Sequence, residues 1–204
     1  MNKILCISAS NNFREGVKET YSCQVCRAIL DEAMKYRPGT EGEIIELKGL
    51  TLSPCIDCLR CLDARRCAID GTFNQIYEKI IACDALFIVT PHYAPIPAKL
   101  CMLLEKMEEI SFEPWDKDNA YLSEVYGIPT AVISHGGGSG NGKAQKEYKR
   151  AVNDPIANAL HTIQLKLIPF NGKQNTGIVI GPTMDQRIAQ YVRKVLDHAG
   201  STAR

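Results

Sequence analysis

The stretch "DALFIVTPHYAPIPAKLCMLLEKM", residues 84–107, decides the fold. Its first part, "ALFIVTP" at 85–91, is apolar without alternation, the pattern of a strand covered on both faces as in a parallel sheet. Its last part opens an amphipathic helix over 97–110, with Pro97 at the favoured first-turn position. Between them "TPHYAPIPA" carries three prolines, which hold an extended loop with few free N–H groups. A buried strand, a rigid loop and a returning helix make up most of a strand–helix–strand unit with parallel strands.

The same alternation continues on both sides. "KILCIS" at 3–8 reads as a buried strand, and "SCQVCRAILDEAMKY" at 22–36 reads as a helix stopped by Pro38-Gly39. "EIIEL" at 43–47 is a short strand and "FNQIYEKIIACD" at 73–84 a helix. "IPTAVIS" at 128–134 is a further strand. Residues 143–163 form a long helical pattern that breaks before Pro155. Either "LKLIPF" or "TGIVI" supplies the fifth strand, and 184–200 closes the chain as a helix. Residues 111–127 show no period and read as the longest connection, a flap or subunit contact. The pattern predicts an α/β three-layer sandwich, a five-stranded parallel sheet with helices on both faces, over a single domain spanning 1–204.

The net charge is +1 and the pI about 7.5, which gives no reason to expect a nucleic acid or a membrane surface as partner. No apolar run reaches the length of a membrane span and the N-terminus has no signal-peptide pattern, so the expected location is cytoplasmic. Nine cysteines, an odd number in a reducing compartment, argue against a disulfide framework.

In a sheet of this type the loops after strands one, three and four gather at one edge. The first, "SASNNFREGVKETYS", is rich in hydroxyl and amide groups and runs into a helix N-terminus, which suits a phosphate. Ser8, Ser10, Asn11, Asn12, Thr20 and Ser22 are its candidate donors. Ser22 is also a candidate helix cap, and Cys23 lies beside the loop. The loop is neither G-x-G-x-x-G nor a Walker loop, so a dinucleotide fingerprint and an NTPase are disfavoured. In the second loop the backbone of Thr90, His92, Tyr93, Ala94 and Ile96 can meet the polar edge of a flat heterocycle, and Tyr93 offers a stacking face. The third, "SHGGGSGNG", allows close backbone approach at Gly136 and Gly137, beside Ser134 and His135. Together the loops describe a site for a phosphorylated planar ring.

The stretch "SPCIDCLRCLDARRCAI" places Cys55, Cys58, Cys61 and Cys67 within thirteen residues of a cysteine-rich loop at 53–70. The C-x2-C-x2-C spacing suits a [4Fe-4S] cluster held by four thiolates. Zinc, which favours two knuckles set further apart, and unliganded thiols are the alternatives. Arg60, Arg65 and Arg66 either soften the charge of a thiolate cluster or belong to a solvated loop. Cys23 and Cys26 form a second C-x2-C on a helix, with Cys26 a core residue. Cys6, Cys83 and Cys101 read as small core hydrophobes.

Over residues 1–140 the chain resembles the NAD(P)H-dependent FMN reductase-like branch of the flavodoxin-like superfamily, and within it the iron–sulfur flavoproteins. "ASNN" stands where that family has its phosphate-binding loop, so Ser10 matches the phosphate-binding serine and Ser22 the second hydroxyl. Asn11 and Asn12 replace a Pro-Arg pair, and Arg14 or Lys18 is left to compensate the phosphate charge. "TPHYAPIPAKL" matches the loop that lines the isoalloxazine, which carries over Thr90, Pro91, His92, Tyr93 and Ile96 as ring contacts. "SHGGG" matches the glycine-rich loop on the pyrimidine side. The resemblance implies a sheet order of 2-1-3-4-5, FMN as cofactor, and a homodimer or homotetramer. It implies a flavin oxidoreductase without a catalytic side chain, moving electrons from NAD(P)H or a ferredoxin-like protein donor to a small-molecule or protein acceptor. A cluster-free NAD(P)H:FMN or quinone reductase and a non-enzymatic flavodoxin-like carrier are the rival readings. The near-zero net charge speaks against the carrier, which usually docks through strong acidity.

Overall fold

The computed structural model describes residues 3–12, 16, 18–93, 96–118, 120–136, 149–171, 177–181 and 184–199. Four strands, β1 (Lys3–Ser8), β2 (Glu41–Glu46), β3 (Ala85–Pro91) and β4 (Pro129–His135), lie parallel in the order β2-β1-β3-β4. The fifth position is shared by two short strands. β5 (Lys166–Leu167) pairs with Pro129 and Thr130, and β6 (Gly177–Ile180) pairs with Val132 to His135. Both "LKLIPF" and "TGIVI" therefore contribute, the first at the start of β4 and the second over its remainder, and the expected 2-1-3-4-5 order holds.

β6 lies close against β4. A Cβ on Gly177 would stand 2.0 Å from the Val132 carbonyl oxygen. Gly177→Ala should therefore cost about 2–3 kcal/mol in urea unfolding, as overpacking does. Gly181→Ala, where a Cβ meets nothing within 4 Å among the described residues, should change the midpoint little. Equal midpoints for the two variants would contradict this packing.

Alternation along the strands sends side chains to two cores. Ile4, Cys6, Phe87, Val89, Ala131 and Ile133 meet α1 (Tyr21–Tyr36) and the closing helix Arg187–Ala199 on one face. Leu5, Ile7, Leu86, Ile88 and Val132 meet α3 (Gly71–Ala82), α4 (Ala98–Lys117) and α5 (Asp154–Thr162) on the other. A one-turn helix, α2 (Cys61–Ala64), lies between β2 and α3, and the closing helix is α6.

Three expectations change. Residues 111–127 are not one irregular connection, because α4 runs on to Lys117. The buried stripe Leu100, Leu103, Leu104, Met107 continues through Ile110 and Ser111, past the expected end of the helix, and the helix runs on across Pro114, whose missing N–H forfeits one helical bond. The remainder is tied down: Ser123 Oγ donates to the Ile163 carbonyl at 2.9 Å, and Gln164 Nε2 donates to the Tyr121 carbonyl at 3.1 Å. Over the described residues 149–163 the helical backbone does not break before Pro155. A π-helical turn, Lys149–Asn153, leads into α5, and Pro155 is the second residue of α5, so the proline falls where the wider turn passes into the α-helix. Cys101 is exposed rather than core, because it lies one position off the buried stripe of α4.

Candidate functional site

The carboxyl ends of β1, β3 and β4 lie side by side, and hydrogen bonds join their loops. Ala9 N–H donates to the Val89 carbonyl at 2.9 Å, and His92 N–H donates to the His135 carbonyl at 2.9 Å. Ser22 Oγ, on the first turn of α1, lies 2.7 Å from His135 Nε2. The three loops that the sequence singled out are thus brought together at one edge.

The first loop folds back on itself. Ser10 Oγ accepts from Asn12 N–H at 3.3 Å, and Ser8 Oγ is 3.5 Å from Thr20 Oγ1. Thr20, not Ser22, caps α1, accepting from Cys23 N–H at 3.2 Å. The helix accordingly begins one residue earlier than expected, and Ser22 falls inside its first turn, where N–H groups lack intrahelical partners. Cys23 is buried, and burial with the neighbouring Glu19 carboxylate pushes its thiol up to about 12. That thiol is protonated, which makes Cys23 a packing residue beside the loop. Lys18 is exposed; Arg14 lies outside the described residues.

In the second loop Thr90 is fully buried and its hydroxyl donates to the Pro91 carbonyl at 3.1 Å. Pro91 extends β3 and pairs with His135. Tyr93 is 46% exposed, so its ring face is open to a ligand. Ile96 packs against the core. Ala94 lies outside the described residues, as does Gly137 in the third loop; Gly136 is half-buried. Ser134 is buried, with Oγ 3.5 Å from the Ile178 carbonyl.

His135 is the hub of the edge. Burial lowers its pKa to about 4, so the ring is neutral near pH 7. Tyr21 stands edge-on to it, with centroids 5.0 Å apart. The sequence reading did not select Tyr21; its only local signal is its place directly after the Thr20 cap. Among the described residues the buried Tyr21 hydroxyl and the buried Asn11 Oδ1 have no hydrogen-bond partner. Orphaned polar atoms of this kind are costly unless a bound group or water completes them. Two of them beside a helix N-terminus and a flat-ring loop fit a ligand with hydroxyl, amide and phosphate groups.

His135 also predicts a pH dependence. Its folded pKa of about 4 lies below the ordinary 6.5. The unfolded chain therefore binds a proton first, and the stabilisation is present above pH 6.5 and lost as pH falls towards 4. The shift corresponds to about 3 kcal/mol. Urea midpoints measured between those limits should fall steeply for the parent and less for His135→Gln; parallel profiles would contradict the assignment.

The four cysteines of the 53–70 loop line one cavity, together with Ile56, Leu59, Lys106 and Ile110. The Arg60 N–H and guanidinium hold the Cys58 thiol below its ordinary value, whereas burial pushes Cys61 up. Among the described residues no three His, Cys, Asp or Glu side chains stand in metal-holding geometry. The cavity measures about 20 Å³, room for about one water. The donor set suits an iron–sulfur cluster chemically, but the loop must open to take one. Asp57, Leu59 and Arg65 adopt left-handed backbone at φ 49°, 55° and 55°, an uncommon conformation for such residues. Arg65 and Arg66 do not face solvent freely. The Arg65 guanidinium lies 4.9 Å from the Tyr121 ring centroid, and Arg66 pairs with Glu78 at 2.5 Å and Glu124 at 2.6 Å. Asn74 holds the Cys67 backbone from both sides, accepting from its N–H at 2.8 Å and donating to its carbonyl at 2.9 Å.

Comparison with known proteins agrees with this arrangement. Residues 2–165 match the family described as NADPH-dependent FMN reductase, and the chain belongs to it. An iron–sulfur flavoprotein from Methanosarcina thermophila is 29% identical over 126 residues, which is 60% of this chain and 61% of that protein. The match therefore spans less than two thirds of the curated relative. An apo NADH:FMN oxidoreductase superposes with a TM-score of 0.61 at 14% identity, covering 98% of this chain and 88% of that one. An azoreductase from Bacillus anthracis superposes at 0.57 and 16% identity, covering 98% of both chains. These likenesses show the flavodoxin-like fold. No helix among the described residues is long and apolar enough to cross a membrane.

Proposed function

We propose that this member of the NADPH-dependent FMN reductase family is a flavin-dependent oxidoreductase with FMN at the carboxyl edge of β1, β3 and β4. The observation that carries the reading is the convergence of the three loops on His135, with the orphaned Tyr21 hydroxyl and Asn11 Oδ1 beside them. FMN, when bound, supplies a group that accepts an electron pair from a nicotinamide and passes electrons on.

The chain's own part is binding and orientation. The first turn of α1 and the Ser10 and Ser22 hydroxyls hold the phosphate. Asn11, Asn12, Thr20 and Ser8 shape that loop, with Cys23 packed behind it. The backbone of Thr90 to Ile96 meets the ring edge, and Tyr93 covers one face. Ser134, His135, Gly136 and Gly137 border the pyrimidine side. His135 is neutral and accepts from or donates to Ser22; its tautomer decides whether the serine has its proton left for the phosphate.

The reading extends to the cysteine loop: Cys55, Cys58, Cys61 and Cys67 would hold a [4Fe-4S] cluster, which supplies single-electron transfer when bound. The shared cavity and the iron–sulfur flavoprotein relative support this. A cluster-free NAD(P)H:FMN or quinone reductase is the second reading, supported by the small size of that cavity. NAD(P)H is the proposed donor and a ferredoxin-like protein the alternative. One domain, a homodimeric or homotetrameric assembly and a cytoplasmic location complete the proposal.

Anaerobic titration of the FMN-loaded protein with NADH and NADPH tests the reading. Bleaching of the flavin by at least one of them is expected. A flavin reduced by neither nicotinamide nor a reduced ferredoxin would overturn the oxidoreductase assignment.

A further inference from the structure

The cysteine loop closes at one buried point. Asp70 Oδ2 accepts from Ser53 N–H at 2.9 Å and from Ser53 Oγ at 3.1 Å, so residues 17 apart in sequence share one carboxylate. Asp70 Oδ1 accepts from Phe73 N–H at 2.9 Å and caps α3. Lys106, from α4, donates to Asp70 Oδ2 at 2.6 Å, to Ser53 Oγ at 3.2 Å and to the Ser53 carbonyl. The Lys106 and Asp70 side chains are 2% and 4% exposed.

Among the described residues the same lysine is the one cation in the wall of the four-thiol cavity, whose other lining residues include apolar Ile56, Leu59 and Ile110 and the carboxylate residues Asp57 and Glu109. Negative charge in an apolar wall is costly unless a cation faces it. The Asp70 charge is already met by both Ser53 donors, by Phe73 N–H and by the N-terminal end of α3. The ion pair is neutral as a whole, but of its two members Lys106 alone lines the cavity, so the pair turns its positive end to the thiols.

We propose that Lys106 is the positioning residue of the cysteine site. It clamps the neck of the 53–70 loop and sets a cation against the thiolates, the second role resting on the cluster reading above. Nothing in the four-cysteine spacing points to it, because it lies on α4, outside the loop.

Three variants test this: Lys106→Met; Lys106→Arg, which keeps the cation; and Asp70→Asn with Lys106→Met, which strands no buried charge if the single variant fails to fold. FMN content reports intact folding. In metal-free protein, maleimide labelling of the four cysteines should be at least about tenfold faster for Lys106→Met and for the double variant than for the parent. After anaerobic reconstitution with iron and sulfide, iron content should fall below about half. The residual cluster should have a more negative reduction potential, and Lys106→Arg should restore both. Labelling and loading at parental levels in Lys106→Met and the double variant would overturn the proposal. A parent that takes up no iron would overturn the cluster reading and the charge role with it, while faster labelling in the variants would still support the clamp.

Discussion

Cys61→Ala, prepared without oxygen, is expected to lose its iron and sulfide while keeping FMN. The parent should hold about four irons, the complement of a four-thiolate cluster. Cys61 begins α2 and shares its cavity with Cys55, Cys58 and Cys67. The flavin loops follow β1, β3 and β4, whereas this loop follows β2. Losing a thiol at one should therefore leave the other intact. Iron, acid-labile sulfide and flavin measured on the same anaerobic samples decide it. An iron-free parent would remove the cluster and leave the plain flavin reductase.

The second large effect concerns the phosphate. Ser10→Ala together with Ser22→Ala should weaken FMN binding by at least about a hundredfold, since a hydrogen bond to a charged group contributes roughly 1.5–3 kcal/mol. The structure refines this expectation. Ser22 Oγ is engaged with His135 Nε2 at 2.7 Å, so His135→Gln should reproduce part of the Ser22 loss. Equilibrium titration of flavin-free protein with FMN measures both, and unchanged affinity in the double variant would show that the phosphate lies elsewhere.

The central strands were legible because both their faces are buried. "KILCIS" and "ALFIVTP" read as continuous apolar runs, and β1 and β3 occupy those residues. The loops were legible by composition: hydroxyls and amides before a helix, prolines after a strand, a run of glycines. Contacts between distant residues were not. Ser22 and His135 are 113 residues apart and Lys106 and Asp70 are 36 apart, and no local period announces either pair. The continuation of α4 past residue 110 was hidden because 111–117 show no apolar period of their own and carry Pro114, a local stop signal. The fifth strand was ambiguous in sequence because one edge of β4 pairs with two segments in turn, β5 at its start and β6 over the rest.

His135 joins the loops and carries the largest acid sensitivity of the flavin edge, whereas the cysteine loop has its own anchor. Asp70 is held at about 2, because Lys106 and the N–H groups of Phe73 and Ser53 outweigh its burial. Its contribution is present above the ordinary carboxylate value of 3.8 and is lost as pH falls towards 2. Acid should thus act on the flavin edge before it reaches the neck of the cysteine loop.

The central claim is that the edge formed by β1, β3 and β4 holds FMN. Releasing the bound cofactor from purified protein and identifying it by mass tests this most directly. The account predicts FMN at close to one per chain, reduced severalfold in the Ser10→Ala, Ser22→Ala variant. Recovery of FAD or a nucleotide without FMN would contradict it.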